Sequence, residues 1–96
     1  MRVRLTDEAK AKLRAIRAHI AEDAPQHAEA MIDRVIRHAE KIGDFPRAGR
    51  MMPEYRLDTL REVLEQPYRI IYRIGPDQIE VLTVMHYRQL LPDDLV

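Results

Sequence analysis

The chain predicts an α+β fold: an N-terminal strand, an antiparallel helix hairpin and then a three-stranded antiparallel meander, stacked as a two-layer sandwich. Three observations carry that prediction. Apolar residues recur at helical spacing twice, first in Ala9, Leu13, Ile16 and Ile20, then in Ala28, Met31, Ile32, Val35, Ala39 and Ile42. Tyr68-Arg69-Ile70-Ile71-Tyr72-Arg73 instead alternates with the period of a strand. Gly75-Pro76-Asp77 separates it from a second apolar run, Ile79 to Met85, as a hairpin turn would.

Each element has its own local cause. Residues 2–5 read as a short strand. Thr6 sits where a helix N-cap belongs, and Asp7 and Glu8 follow in the first turn, where the helix dipole favours negative charge. Asp23-Ala24-Pro25 ends the first helix and starts the second, with Asp23 or Ala24 as cap and Pro25 tolerated in the first turn. Gly43 closes the second helix. A connector this short folds the two helices back on each other. Asp44 to Arg50 is a loop by its Pro and Gly content, and Phe45 is expected to plug the end of the hairpin into the core. Met51 to Asp58 has no period and is expected to be irregular. Leu60 to Gln66 is a strand, with Leu60 and Leu64 on one face and Arg61, Val63 and Glu65 on the other. Pro67 marks the turn into Tyr68–Ile74, and Gln78–His86 is the last strand. Pro92-Asp93-Asp94 reads as a tail.

Ninety-six residues make one domain spanning 1–96. No apolar run approaches the ~18 residues of a membrane span, and the N-terminus is too short in apolar residues for a signal peptide. The absence of cysteine excludes disulfides and thiolate metal sites and is compatible with the cytosol. Sixteen basic and 16 acidic residues cancel. That balance argues against affinity built mainly on neutralising nucleic-acid phosphates, while leaving room for a local basic patch. From Arg50 onward every cation is arginine, which suits bidentate contacts or reflects the composition of the source genome.

With helices over one sheet face, the other face is expected to stay open, lined by Arg61, Arg69, Arg73 and His86. Arg69 and Arg73 stand ~7 Å apart along their strand. They could clamp an anion or pair with Glu62, Glu65 or Glu80 across the sheet. His86 could act as a general base or end its strand structurally. His19, His27, His38 and His86 show no metal-ligand spacing. Tyr68 and Tyr72 share a face with Ile70 and suit core packing, whereas Tyr87 is more exposed. Met51-Met52, outside any periodic element, suits docking of a partner helix. No Ser-His-Asp order, glycine-rich phosphate loop or paired-carboxylate motif stands out.

The ordered set is distinctive although no single piece is. A capped helix hairpin leads into Phe45-Pro46-Arg47-Ala48-Gly49-Arg50, then Leu60-Arg61-Glu62-Val63, Tyr68 to Arg73, and Ile79 to His86. Over nearly the whole chain this resembles the RelE/ParE superfamily of bacterial toxins from type II toxin–antitoxin modules. The resemblance implies a cytoplasmic toxin of a plasmid-stabilisation type, without cofactor or metal. It also implies a hetero-oligomer with a cognate, ParD-like antitoxin from the same operon. ParE-like members poison DNA gyrase and trap its cleaved DNA complex. RelE-like members cleave mRNA in the ribosomal A site with lysines, arginines and sometimes a histidine or tyrosine.

Aligned on Tyr68-Arg69, the RelE-type strand lysines fall on Leu60 and Glu62, and a carboxylate there would repel the scissile phosphate. Arg69 and Arg88 match arginines of the nuclease pattern, and its C-terminal tyrosine falls near Asp94. The missing lysines, the neutral charge and the long helices favour a ParE-like gyrase inhibitor over a RelE-like nuclease. In the gyrase reading, Arg61, Arg69, Arg73, His86, Tyr87 and Arg88 are the target-facing candidates. Met51, Met52, Arg61, Arg69 and Arg73 are the antitoxin-facing ones. In the nuclease alternative, Arg69 and Arg88 would stabilise the phosphate and His86 would transfer a proton.

Overall fold

The computed structural model describes residues 1–89. The expectations for Pro92-Asp93-Asp94 and for the position near Asp94 lie outside them. Among the described residues run β1 (Arg2–Leu5), α1 (Asp7–Ala21), α2 (Pro25–Lys41), β2 (Arg50–Met51), β3 (Leu60–Glu65), β4 (Tyr68–Ile74) and β5 (Gln78–His86). A 3-10 turn at Pro46–Ala48 bridges α2 and β2. The sheet order is β1-β5-β4-β3-β2. The expected meander is its antiparallel centre, β3-β4-β5. The chain start returns alongside β5 as a parallel edge, Val3 opposite Ile79. Part of the segment expected to be irregular is a strand: Arg50 pairs with Glu62 and Met51 with Arg61.

The helix ends follow their sequence signals, with one change of mechanism. The Thr6 hydroxyl accepts the Ala9 N–H at 3.1 Å and lies within hydrogen-bond reach of the Val81 and Leu82 carbonyls. It therefore caps α1 and ties the helix to β5. Thr6→Ala should lower stability by about 1–2 kcal/mol, read as a shifted urea midpoint with unchanged slope. Ala24 caps α2 without a side-chain bond, and Pro25 occupies the first turn. Gly43 ends α2 for want of space rather than by a left-handed turn, since no glycine here has positive φ. A Cβ on Gly43 would stand 2.1 Å from the Met1 carbonyl oxygen.

The main core lies between the hairpin and the sheet: Leu13, Met31 and Val35 pack on Ile70, Tyr72, Ile79 and Val81. Each such large apolar side chain, fully buried, contributes about 1.5–3 kcal/mol. The run from Ile79 to Met85 can be apolar throughout because a register shift opposite Ile71/Tyr72 resets its alternation. Val81 and Val84 consequently both reach the main core, while Leu82 and Met85 reach the far face.

The far face is not open as expected. Met52, Leu60, Ile71 and Met85 form a second small core there, with Tyr55 and Leu82 packed on it. Met52 is fully buried and belongs to this core, which corrects its assignment as a docking residue. Phe45 is also corrected. It is 73% exposed and plugs nothing. Two of the residues expected on the open face belong to the other side. Arg61 is opposite Tyr72 and His86 opposite Tyr68, and both tyrosines face the helices.

Candidate functional site

Arg69 and Glu62 meet across the β3–β4 hairpin on the far face. Arg69 Nε donates to Glu62 Oε1 at 2.7 Å and its Nη2 to Oε2 at 3.1 Å. Arg50 on the neighbouring edge strand adds a bond to Oε2 at 2.7 Å. Glu62 is 2% exposed and Arg69 9%. Burial pushes the Glu62 carboxyl up, but the bonds from Arg69 and Arg50 outweigh it and hold the group below the usual carboxylate range. Arg50, tied to the same carboxylate, is raised above its ordinary value. The guanidinium that the sequence offers as an anion clamp is therefore already filled by an internal carboxylate.

The other strand arginines are occupied as well. Arg73 Nη2 donates to Glu80 Oε1 at 2.6 Å, and Arg4 from β1 bonds the other oxygen. The Glu80 carboxyl is lowered by Arg73 first and Arg4 second. Arg61 is a strut: it donates to the Asp58 carbonyl at 2.8 Å, the Asp58 carboxylate at 2.6 Å and the Gly49 carbonyl at 3.0 Å. Arg47 holds Asp58 from the other side and, with Arg61, keeps that carboxyl below its usual range. Arg61, Arg69 and Arg73 thus do not converge on one site.

The end of β5 carries a stack. The Tyr68 ring meets His86 edge-on at 5.9 Å, and Tyr87 stacks on His86 at 4.9 Å. Arg88 lies 5.4 Å from the centre of the Tyr87 ring and donates to its hydroxyl at 3.0 Å. His86 Nδ1 accepts the Arg88 backbone N–H at 3.1 Å, so the ring's free nitrogen is Nε2. Arg69 and His86 sit on opposite faces of the sheet. Arg69 is on the far face with Glu62, and His86 is on the helix side with Tyr68.

Two features that the sequence reading passed over lie on the helices. A groove of about 240 Å³ between α1 and α2 has Leu5, Leu13, Ile32 and Ile36 on its apolar floor, with Lys10, Arg14 and Arg17 beside them. A polar cleft of about 440 Å³ is lined by Arg34, Arg37, His38, Lys41 and Glu65. The available signal was spacing: Arg34, Arg37 and Lys41 stand three and four apart, on one helix face. Among the described residues no group of acids and histidines could hold a metal ion, and no helix is long and apolar enough to cross a membrane.

Residues 3–91 match the family described as "ParE toxin of type II toxin-antitoxin system, parDE". The chain belongs to the ParE toxin family. A curated relative in Sinorhizobium fredii (strain NBRC 101917 / NGR234), named "Putative toxin Y4kP", is 35% identical over 98% of this chain and 96% of its own. The toxin-type fold recurs in solved structures. In the chromosomal ParDE toxin–antitoxin system from P. aeruginosa, the similarity has a TM-score of 0.77 and 21% identity, over 90% of this chain and 95% of that one. In the toxin–antitoxin complex RelBE2 from Mycobacterium tuberculosis, the TM-score is 0.63 and the identity 22%, over 88% and 95%. In this ParE-family chain the Glu62 carboxylate neutralises Arg69.

Proposed function

We propose that this ParE-family toxin acts in the cytoplasm by binding DNA gyrase and trapping its cleaved DNA complex, with no bond-making step of its own. The observation that carries this reading is the placement of Arg69 and His86. The nuclease alternative places both at one scissile phosphate, Arg69 to stabilise it and His86 to transfer a proton. Here Arg69 is held by Glu62 on one sheet face and His86 packs against Tyr68 on the other. Binding energy then does the work, and the exposed groups Arg73, Tyr87 and Arg88 are its contact candidates.

A ParD-like antitoxin encoded beside the toxin neutralises it. The groove between α1 and α2 suits its amphipathic, acidic segment: apolar anchors fit Leu13, Ile32 and Ile36, and carboxylates meet Lys10, Arg14 and Arg17. The resemblance to proteins solved within toxin–antitoxin systems supports this partner.

Purified toxin with gyrase, plasmid DNA and ATP should accumulate linear, gyrase-linked DNA. The same toxin should leave mRNA intact on ribosomes programmed with a defined A-site codon. Unaffected supercoiling without trapped DNA would sink the gyrase reading, and an A-site cleavage product would establish the nuclease instead.

A further inference from the structure

The internal pairing of the sheet arginines moves the chain's available positive charge to its helices. Arg4, Arg50, Arg61, Arg69 and Arg73 each hold a carboxylate. On α2, Arg34, Arg37 and Lys41 are exposed, and Arg37 and Lys41 form no ion pair with any described residue. The one carboxylate in their cleft, Glu65, is engaged by His38 at 3.1 Å and lies 3.9 Å from Arg34. Three permanent cations against one carboxylate leave the cleft positive in a chain whose formal charge is zero.

We infer that this cleft seats the sugar–phosphate backbone of duplex DNA. The inference rests on the gyrase reading and deepens it: the toxin holds the DNA of the cleaved complex as well as the enzyme.

The chemistry of the lining selects this occupant. Every lining side chain ends in a charge or an imidazole, and none is a Leu, Ile or Val of the kind that floors the groove between the helices. From Arg34 to Lys41 the row extends ~10 Å along the helix, long enough to reach more than one phosphate of a strand whose charges recur every ~3.4 Å of duplex axis. A lone phosphate ion would leave part of that row unused. Arg34 and Arg37 offer bidentate forks to phosphate oxygens, and Lys41 offers a point charge. The acids of α2 itself, Glu29, Asp33 and Glu40, are not among the cleft residues.

Fluorescence anisotropy of a labelled DNA duplex, titrated with the full chain over a salt series, tests this without gyrase. The logarithm of the binding constant should fall against log salt with a slope of about −2 to −3, at ~0.9 per phosphate neutralised. Lys41→Gln should reduce the slope by about one. Arg34→Gln with Arg37→Gln and Lys41→Gln should bring it near zero. Removing charge elsewhere, with Arg2→Gln and Arg56→Gln, should leave it unchanged. A slope that survives the triple substitution overturns the inference. So does displacement of the duplex by a glutamate-rich peptide or by inorganic phosphate at matched ionic strength.

The gyrase assay separates the two failures. A toxin that traps gyrase but binds no DNA, with the triple variant equally potent, refutes the DNA seat and leaves the gyrase reading standing. A toxin that binds DNA with the expected slope but never traps gyrase does the reverse.

Discussion

Glu62→Ala should be among the most damaging single substitutions in this protein, costing about 3–5 kcal/mol. Arg50 would lose little, because its side chain is 69% exposed and can return to water. Arg69 cannot, because it is 9% exposed on the far face of the sheet. Removing the carboxylate leaves a buried guanidinium without a counter-charge, and that penalty dominates. Against the 5–15 kcal/mol typical of a domain, such a loss would lower Tm by about 12 °C or more at this chain length. Replacing both partners, Glu62→Leu with Arg69→Met, should recover most of the loss, since no buried charge then remains. Thermal or urea unfolding of the two singles and the double decides it. A double variant no more stable than either single would show that the pair is not what costs.

The same carboxylate sets an acid limit. Its folded pKa lies below the unfolded value, so its contribution is complete above about pH 4.3 and is lost as pH falls through the folded pKa. The stability gap between wild type and Glu62→Gln should therefore narrow as pH drops below about 4. A gap that stays constant across that window would mean that Glu62 does not titrate differently in the folded and unfolded chains.

What the sequence made legible was local. Thr6 with Asp7 and Glu8, the two apolar stripes, and the alternation through Tyr68 to Arg73 each encode an element by their own spacing. What it hid depends on which side of the sheet is covered. Leu60 and Leu64 do share a face, as alternation requires, but parity cannot say that this face turns away from the helices. A strand that alternates evenly also cannot reveal a bulge. The unbroken run from Ile79 to Met85 hinted at one, because strict alternation would have exposed part of it. Phe45 misled because a lone aromatic is more often buried than displayed. The pairing of Arg69 with Glu62 lay among the alternatives that the sequence left open, and only register chose it over Glu65 and Glu80.

The loop that displays Phe45 is held by one fully buried hydroxyl, and substitutions at that lock should produce the second large effect. Tyr72 donates to the Pro46 carbonyl at 2.6 Å and accepts the Gly49 N–H at 3.1 Å. Tyr72→Phe would take the partner from the buried Gly49 N–H and from the half-buried Pro46 carbonyl, at about 1–3 kcal/mol. Gly49→Ala attacks the same contact from the other side. Its φ of −68° suits any residue, so conformational freedom is not the reason for glycine there. Space is the reason: a Cβ would stand 2.2 Å from the Tyr72 hydroxyl and 2.9 Å from its ring. The ring is walled in by the main core and cannot withdraw, so the loop must move, at a cost of about 1–3 kcal/mol in overpacking with the hydrogen bonds lost in addition. The two substitutions should not add. Removing the hydroxyl relieves the shortest clash, so Gly49→Ala should cost less on the Tyr72→Phe background than on wild type. Unfolding of the four proteins measures that coupling, and protease cutting between residues 44 and 50 reports the loop directly. Strict additivity, with cutting no faster than in wild type, would mean that this hydroxyl does not hold the loop. If the coupling is found, the exposed Phe45 is a side chain presented on a fastened loop, already ordered before any partner arrives.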